Sequence, residues 1–252
     1  MGKKIRVQRR GRGGPTFRAV THKRIAPTRY IPLTETKSER PLKAVIEELV
    51  HEPGRGAPLA KTRLENNEVF YSVAPEGVSI GQEIQLGNSA SAGLGNILFL
   101  GQIPSGTLVC NLELSPGDGG KIAKSSGTYA TVVAHTPEGT LVKLPSGKST
   151  YLNDSCRAAI GVVAGAGRTD KPFLKAGKKQ AWLTAKGRIY PITKGIAMNP
   201  AFHPHGGGSH TSQSMRPTTV SRTAPPGQKV GLIAARQTGR ARAARAKRRA
   251  GA

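Results

Sequence analysis

Acidic residues are missing from both ends of this chain. All 14 lie between Glu35 and Asp170; residues 1–34 carry 10 Lys and Arg, and residues 171–252 carry 17, with no carboxylate side chain to pair with any of them. The stretch between holds 12 basic and 14 acidic residues, a net charge of −2, so the formal +25 of the 252 residues is wholly terminal. That imbalance, with only 37% hydrophobic residues, excludes an ordinary neutral enzyme domain. Cysteine is nearly absent. Cys110 and Cys156 cannot supply a four-thiolate zinc site, and a lone pair inside a cell is expected to be reduced. No apolar run reaches the roughly 18 residues of a membrane span. The start, MGKKIRVQRRGRGG, lacks the apolar stretch of a secretory signal. The protein is expected to be soluble and intracellular.

Glycine and proline are abundant instead. With Gly 32 and Pro 18 they form about a fifth of the chain, against a usual share of roughly 12%, so turns and extended segments are expected to dominate. The flanks have too few apolar side chains to offset the ~1–2 kcal/mol per residue that ordering a backbone costs. Alone they are expected to stay disordered. Against a polyanion they gain by counterion release, with affinity falling by about 0.7 to 0.9 log units per log unit of salt for each phosphate contacted. Nucleic acid is the expected partner. A purely solvating tail does not need Phe17, Tyr30, Trp182, Tyr190 and Phe202 among its charges. Extended, 34 such residues reach ~110 Å, far enough to thread between RNA helices. An anionic membrane is a weaker alternative, because no amphipathic helix with a broad apolar face accompanies the charge.

From Lys43 to Val163 short apolar or alternating runs are separated by Gly and Pro, the pattern of an all-β region in two parts. KAVIEELV (43–50) suits helix or strand; Pro53 and the GRG turn behind it cut any helix short, and it is read as a strand. LAKTRL (59–64), VFYSV (69–73), EIQL (83–86) and LVCNLEL (108–114) complete the first part, with a hairpin turn at Asn66-Asn67. In the last run Leu108, Cys110, Leu112 and Leu114 share one face, which gives Cys110 a core role. After the break SPGDGG, YATVVAH (129–135), TLVKL (140–144), STYL (149–152) and AIGVV (159–163) form the second part. The first part is similar to a five-stranded oligonucleotide-binding (OB) barrel and the second to an SH3-like barrel. No Lys or Arg occurs between Leu64 and Gly120.

Several segments have a physical route to RNA. In SPGDGGKIAKSSG, glycines such as Gly119 and Gly120 let backbone amides approach phosphate, Lys121 and Lys124 add charge, and Ser125 can bond phosphate or a 2′-hydroxyl. An ordinary interdomain linker would read the same way. Asp118 is awkward there and is expected to orient Lys121 or cap a turn. Arg168, Lys171, Lys175, Lys178 and Lys179 surround Phe173, which is expected to face the core while the cations face phosphate. Arg157 is either a salt-bridge partner of Asp154 or an RNA contact. MNPAFHPHGGGSH (198–210) offers His203, His205 and His210, but with no acid in this flank neither a metal site nor an acid–base pair is complete. Pro204 and the glycines describe a narrow loop instead. The tail from Arg236 is cationic and alanine-rich.

GRGGPTFRAVTHKR (11–24), NLELSPGDGGKIAKSSGTYA (111–130), CRAAIGVVAGAGRTDKPFLKAGK (156–178) and above all GIAMNPAFHPHGGG (195–208) resemble the universal family of large-subunit ribosomal protein two, over essentially the full chain. TAPPGQKVG (223–231) and the HTSQ insertion resemble its archaeal and eukaryotic branch. The resemblance implies an OB barrel followed by an SH3-like barrel with long basic arms. The corresponding segments are an N-terminal arm over 1–36, the OB barrel over 37–114, the SH3-like barrel with a basic end over 115–195, and a C-terminal arm over 196–252. It implies a structural role in the large ribosomal subunit, near the peptidyl-transferase centre and at subunit association, with no catalysis by the protein. The implied partners are large-subunit RNA, neighbouring ribosomal proteins and the small subunit, in the cytoplasm. No membrane, small-molecule substrate or cofactor is implied, and magnesium or monovalent ions enter only through bound RNA.

The residues expected on RNA begin in the N-terminal arm with Arg9, Arg10, Arg12, Arg18, Lys23 and Arg24. They continue with Gly119, Gly120, Lys121, Lys124 and Ser125 at the join, then Arg157, Arg168, Lys171, Lys175, Lys178, Lys179, Lys186, Arg188 and Lys194. The loop adds Met198, Asn199, His203, His205, Gly206 and Gly207, and the C-terminal arm adds Arg216, Arg222, Lys229, Arg236 and Arg240.

Overall fold

The structure, a computed structural model, describes residues 2–32, 40–209 and 218–235. It divides into one unit of Ala19–Lys186 and another that joins the residues up to Arg18 to those from Gly187 onward.

The first unit is built on strands β1 (Leu42–Val50), β2 (Leu59–Leu64), β3 (Val69–Val73), β4 (Glu83–Leu86), β5 (Ile97–Phe99), β6 (Leu108–Cys110), β7 (Ala130–Thr136), β8 (Gly139–Lys143), β9 (Ser149–Leu152) and β10 (Arg157–Ile160). They form one continuous sheet in the order β3-β2-β1-β4-β5-β10-β6-β7-β8-β9. Alternation explains β2: Thr62 and Leu64 point inward, while Lys61 and Arg63 point outward to Glu47 on β1. The β2–β3 hairpin turns at Asn67, whose φ of 66° a left-handed position requires. β1 carries a bulge between Ile46 and Glu48. The extra residue shifts the phase of alternation, which is why its sequence suits two secondary structures.

The sheet encloses two apolar cores. Ala44, Ile46, Leu64, Phe70, Val73, Ile84 and Leu86 line the first, and Leu100, Ile103, Leu112, Val132, Val142 and Leu152 line the second. Strands β5, β6 and β10 wall both. Ile97, Cys110 and Ala159 face the first core, whereas Leu98, Val109, Ala158 and Ile160 face the second. Neighbouring residues on a strand point to opposite sides, so a strand between two cores is apolar on both faces.

This arrangement corrects several expectations. A division after Leu114 does not separate the cores, because β5 and β6 precede it and serve both. LVCNLEL does not continue as one alternating strand; Asn111 takes φ 48° and ends β6 at Cys110. Leu108 and Leu114 are consequently exposed, while Leu112 enters the second core. The last strand spans 157–160 rather than 159–163. Tyr30 and Ile31 are buried in the first core, so residues 19–32 belong to the sheet unit and not to an extended arm. An α-helix over Ala176–Ala185, with no buried residue, follows the sheet and was not anticipated.

In the second unit, helix α1 (Arg6–Gly11) precedes a parallel pair of two-residue strands, Thr219–Val220 and Leu232–Ile233. Its described residues are not extended and independent, as the composition suggested. The Lys3 amide bonds the Ala201 carbonyl at 2.7 Å, and the Leu232 and Ala234 amides bond Thr218 and Val220 at 2.9 and 2.8 Å. Among the described residues only Ile5 and Val230 are buried apolar side chains there, so backbone pairing rather than a core closes this unit. His210, Arg216, Arg236 and Arg240 lie outside the described residues.

Candidate nucleic-acid interface

At the join between the cores the chain folds around two carboxylates. Glu113 is fully buried and pairs with Arg157 at 2.8 Å. Its Oε1 also accepts from the Gly119 amide at 3.0 Å, and its Oε2 from the Arg157 and Gly117 amides at 2.9 and 3.3 Å. Arg157 in turn donates from Nη1 to the Ile31 carbonyl at 2.7 Å and lies over the Tyr30 ring at 5.3 Å. The Tyr30 hydroxyl donates to the Asn111 carbonyl at 2.7 Å, and burial raises its pKa well above the usual value. Arg157 is therefore a core residue, not an RNA contact, and its partner is Glu113 rather than Asp154, which accepts from the Thr140 hydroxyl.

Asp118 caps the neighbouring turn and also holds Lys121. It accepts from the Leu114, Ser115 and Gly120 amides at 3.1, 3.2 and 3.0 Å, with Lys121 at 3.4 Å. Burial pushes its carboxyl upward, but these donors outweigh burial and hold it below the usual range. The amides of Gly119 and Gly120 are thus spent on Glu113 and Asp118, and both glycines are buried, so the expectation that they approach phosphate is corrected. The glycines serve close packing: a Cβ on Gly120, at φ 88°, would lie 2.6 Å from the Asn111 carbonyl oxygen. Lys124 is likewise engaged, donating to the Thr28 and Gly120 carbonyls at 2.9 and 2.8 Å. Burial, then the nearby Arg55 and Arg29 charges, lower its pKa to about 8 against the pull of Asp118. Lys121 and Ser125 remain exposed.

The basic end of this unit gathers around the chain's one tryptophan. Arg168 donates from Nε and Nη2 to the Ser126 hydroxyl at 3.1 and 2.7 Å, with its guanidinium 5.4 Å from the Trp182 ring centre. Lys186 lies over the same ring at 4.0 Å, and Phe173 meets it at 5.5 Å. Phe173 is 44% exposed, so it packs on Trp182 and does not enter either core. This cluster seats helix α2 (Ala176–Ala185), while Lys171, Lys175, Lys178 and Lys179 are exposed. Lys23 and Arg24 are exposed near the start of the unit.

In the other unit Arg9, Arg10, Arg12 and Arg18 are exposed, and Arg10 lies 5.9 Å from the Phe17 ring centre. Arg188, Lys194 and Arg222 are exposed, and Lys229 is half-buried. The 195–208 loop closes on itself. Phe202 and Gly206 amides bond the Asn199 and His203 carbonyls at 2.9 Å each, and the Gly207 amide bonds the Met198 carbonyl at 3.1 Å. Gly206 and Gly207 therefore donate within the loop, and a Cβ on Gly206 would collide with the Met198 carbonyl. The His203 ring accepts from the His205 amide at 3.1 Å, and the two rings meet edge-on at 5.1 Å. Burial, then the His205 charge, lower the His203 pKa. Among the described residues no group of three or more His, Cys, Asp or Glu could hold a metal.

Sequence reasoning passed over Arg6, which stands three residues before Arg9 on α1, and Arg29, beside Gly119. The helical spacing of Arg6 and Arg9 was the available signal for the first. Lys61 and Arg63 pair with Glu47, Lys121 with Asp118 and Arg157 with Glu113, and each unit, taken separately, carries further exposed cations such as Lys171 and Lys175 in one and Arg9 and Arg12 in the other. Such surfaces can bind a phosphate backbone.

Two family models match the chain: "Ribosomal Proteins L2, RNA binding N-terminal domain" over residues 2–86 and "Ribosomal Proteins L2, C-terminal domain" over residues 93–224. The chain is 54% identical over 242 residues to a protein of Korarchaeum cryptofilum, covering 96% of this chain and 97% of that one. It is 48% identical to one of Methanothermobacter thermautotrophicus, covering 96% and 100%, and 50% identical to one of Pyrobaculum arsenaticum, covering 95% and 96%. All three are named large ribosomal subunit protein uL2.

Proposed function

The chain belongs to the ribosomal L2 protein family, and from that premise we propose that it is a structural, RNA-binding component of the large ribosomal subunit, acting in the cytoplasm. The observation that carries the RNA-binding part is the division of its cations. Arg157, the buried one, has a buried carboxylate partner, whereas the described residues from 171 to 235 include exposed lysines and arginines such as Lys171, Lys175, Arg188 and Arg222, in a stretch whose sequence has no acid. Counterion release makes such a surface a phosphate binder. Phosphate contacts fix position, and base contacts can follow only where RNA is unstacked.

The finer reading follows the family resemblance. The module around the first core is an OB barrel and that around the second an SH3-like barrel, joined through their shared strands. The 195–208 loop reaches RNA near the peptidyl-transferase centre, where RNA performs the chemistry, and other surfaces support association with the small subunit and neighbouring ribosomal proteins. The protein needs no cofactor of its own; magnesium and monovalent ions accompany the RNA.

Sedimentation of cell extract tests the assignment, since a subunit component travels with the large subunit and not as a 26.5 kDa monomer. A salt series comparing large-subunit RNA fragments with random duplex DNA tests specificity. Equal affinities and slopes for the two would mean a general polyanion binder.

A further inference from the structure

One cavity in the unit that contains α1 has walls suited to more than phosphate. Its volume is about 330 Å³, and its lining is Arg6, Arg9, Thr193, Met198, Asn199 and Phe202. Arg6 and Arg9 stand one helical turn apart, on the same side of α1. Neither flank contains an acid, so the anion that these guanidiniums favour must come from a ligand. The remaining lining is of another kind. Met198 contributes a half-buried thioether, and Phe202 a ring that is 41% exposed. Lys3 lies over that ring at 5.1 Å and is not among the residues that line the cavity. The Asn199 Oδ1 accepts from the Ala201 amide at 3.0 Å, which fixes the side chain and leaves its Nδ2 as the donor for a ligand.

Paired RNA would use only half of this site. Its bases are stacked, and its narrow major groove keeps side chains from the base edges. A space at the lower end of the ~300–1,000 Å³ of small-molecule sites holds one nucleotide and no helical segment. Aromatic, thioether and amide groups opposite two arginines match a base and its phosphate together. We propose that this cavity takes a single unstacked nucleotide of the large-subunit RNA, its base against Phe202 and Met198 and its phosphate on Arg6 and Arg9. The proposal rests on the RNA-binding function above and adds a base-level contact to it.

Intact large subunits with the native chain, and others with Phe202→Ala or Phe202→Tyr, are probed with dimethyl sulfate and carbodiimide to read every base. One unpaired nucleotide should become about fivefold or more reactive with Phe202→Ala, as expected for losing one base–aromatic stack, and regain protection with Phe202→Tyr. Zero-length ultraviolet crosslinking of native subunits should place a single-nucleotide adduct on the peptide containing Phe202. Because Phe202 is partly exposed, its truncation leaves the fold in place. Identical reactivity in native and Phe202→Ala subunits that both contain the chain, or adducts only to paired nucleotides, overturns the nucleotide site and leaves phosphate binding standing. Failure of the native chain to travel with the subunit overturns both.

Discussion

The Glu113 carboxylate and the Arg157 guanidinium meet at 2.8 Å with 0% and 1% of their side chains exposed. Around them the Gly117 and Gly119 amides, the Ile31 carbonyl and the Tyr30 ring complete a network that ties the 111–120 loop and residues 30–31 to β10. A buried pair satisfied by hydrogen bonds is tolerated, but either member alone is an uncompensated charge in a poorly solvating interior. The pair therefore holds the join together and does not contribute to the cationic surface.

Replacing Arg157 with Ala should lower the unfolding free energy by ~3–5 kcal/mol, read from urea titration. The joint change Glu113→Leu with Arg157→Met should cost less than the two single changes added together, because no lone charge stays behind. Under conditions where Arg157→Ala remains folded, the salt dependence of its RNA binding should equal that of the native protein. A slope reduced by one phosphate would put Arg157 on RNA.

These residues also mark how far the sequence could be read. The runs LAKTRL, VFYSV, EIQL and STYL become strands with the expected bounds, because each has a clear inward and outward side or a turn at its ends. β5 escaped notice since all three of its residues are buried, and with a core on both sides there is no polar face to alternate with. Arg157 could not be resolved from its neighbours, since its partner lies 44 residues earlier in the chain. The roles of Gly119 and Gly120 were hidden for a similar reason. Glycine next to lysine suggests phosphate, but which group takes a backbone amide depends on how the turn folds. Helix α2 is locally legible in its Ala, Lys and Gln content, yet its charge counts it among the basic flanks expected to stay disordered without a polyanion.

Lys124 should make stability depend on pH in a particular direction. Its folded-state pKa of about 8 lies below the ordinary 10.5 expected on unfolding. Between those values the unfolded chain holds a proton that the folded chain has released, so raising the pH through this window favours folding. The neutral amine still has two hydrogens for the Thr28 and Gly120 carbonyls. Urea midpoints should therefore rise in the native protein relative to Lys124→Met as pH passes from about 8 toward 10.5. Parallel curves for the two proteins would show that Lys124 ionises as freely as an exposed lysine.

The segment that runs into helix α2 separates phosphate binding from stability, because the lysines along it are exposed while the helix is attached through Trp182. Changing Lys171, Lys175 and Lys178 together to Gln removes three exposed charges without touching the Arg168, Lys186 and Phe173 contacts to that ring. If all three meet phosphate, the slope of log affinity for large-subunit RNA against log salt should become shallower by about 2 to 3, at 0.7–0.9 for each contact. The unfolding free energy from urea titration should stay within about 0.5 kcal/mol of native, as for surface substitutions in general. Arg168→Ala should behave in the opposite way. It removes the bonds to the Ser126 hydroxyl and the cation from the Trp182 ring, so stability and the tryptophan emission should change while the salt slope is preserved. Measuring slope and midpoint on both variants distinguishes the side chains that bind RNA from the one that positions them. A shallower slope with Arg168→Ala alone would assign that guanidinium to phosphate after all.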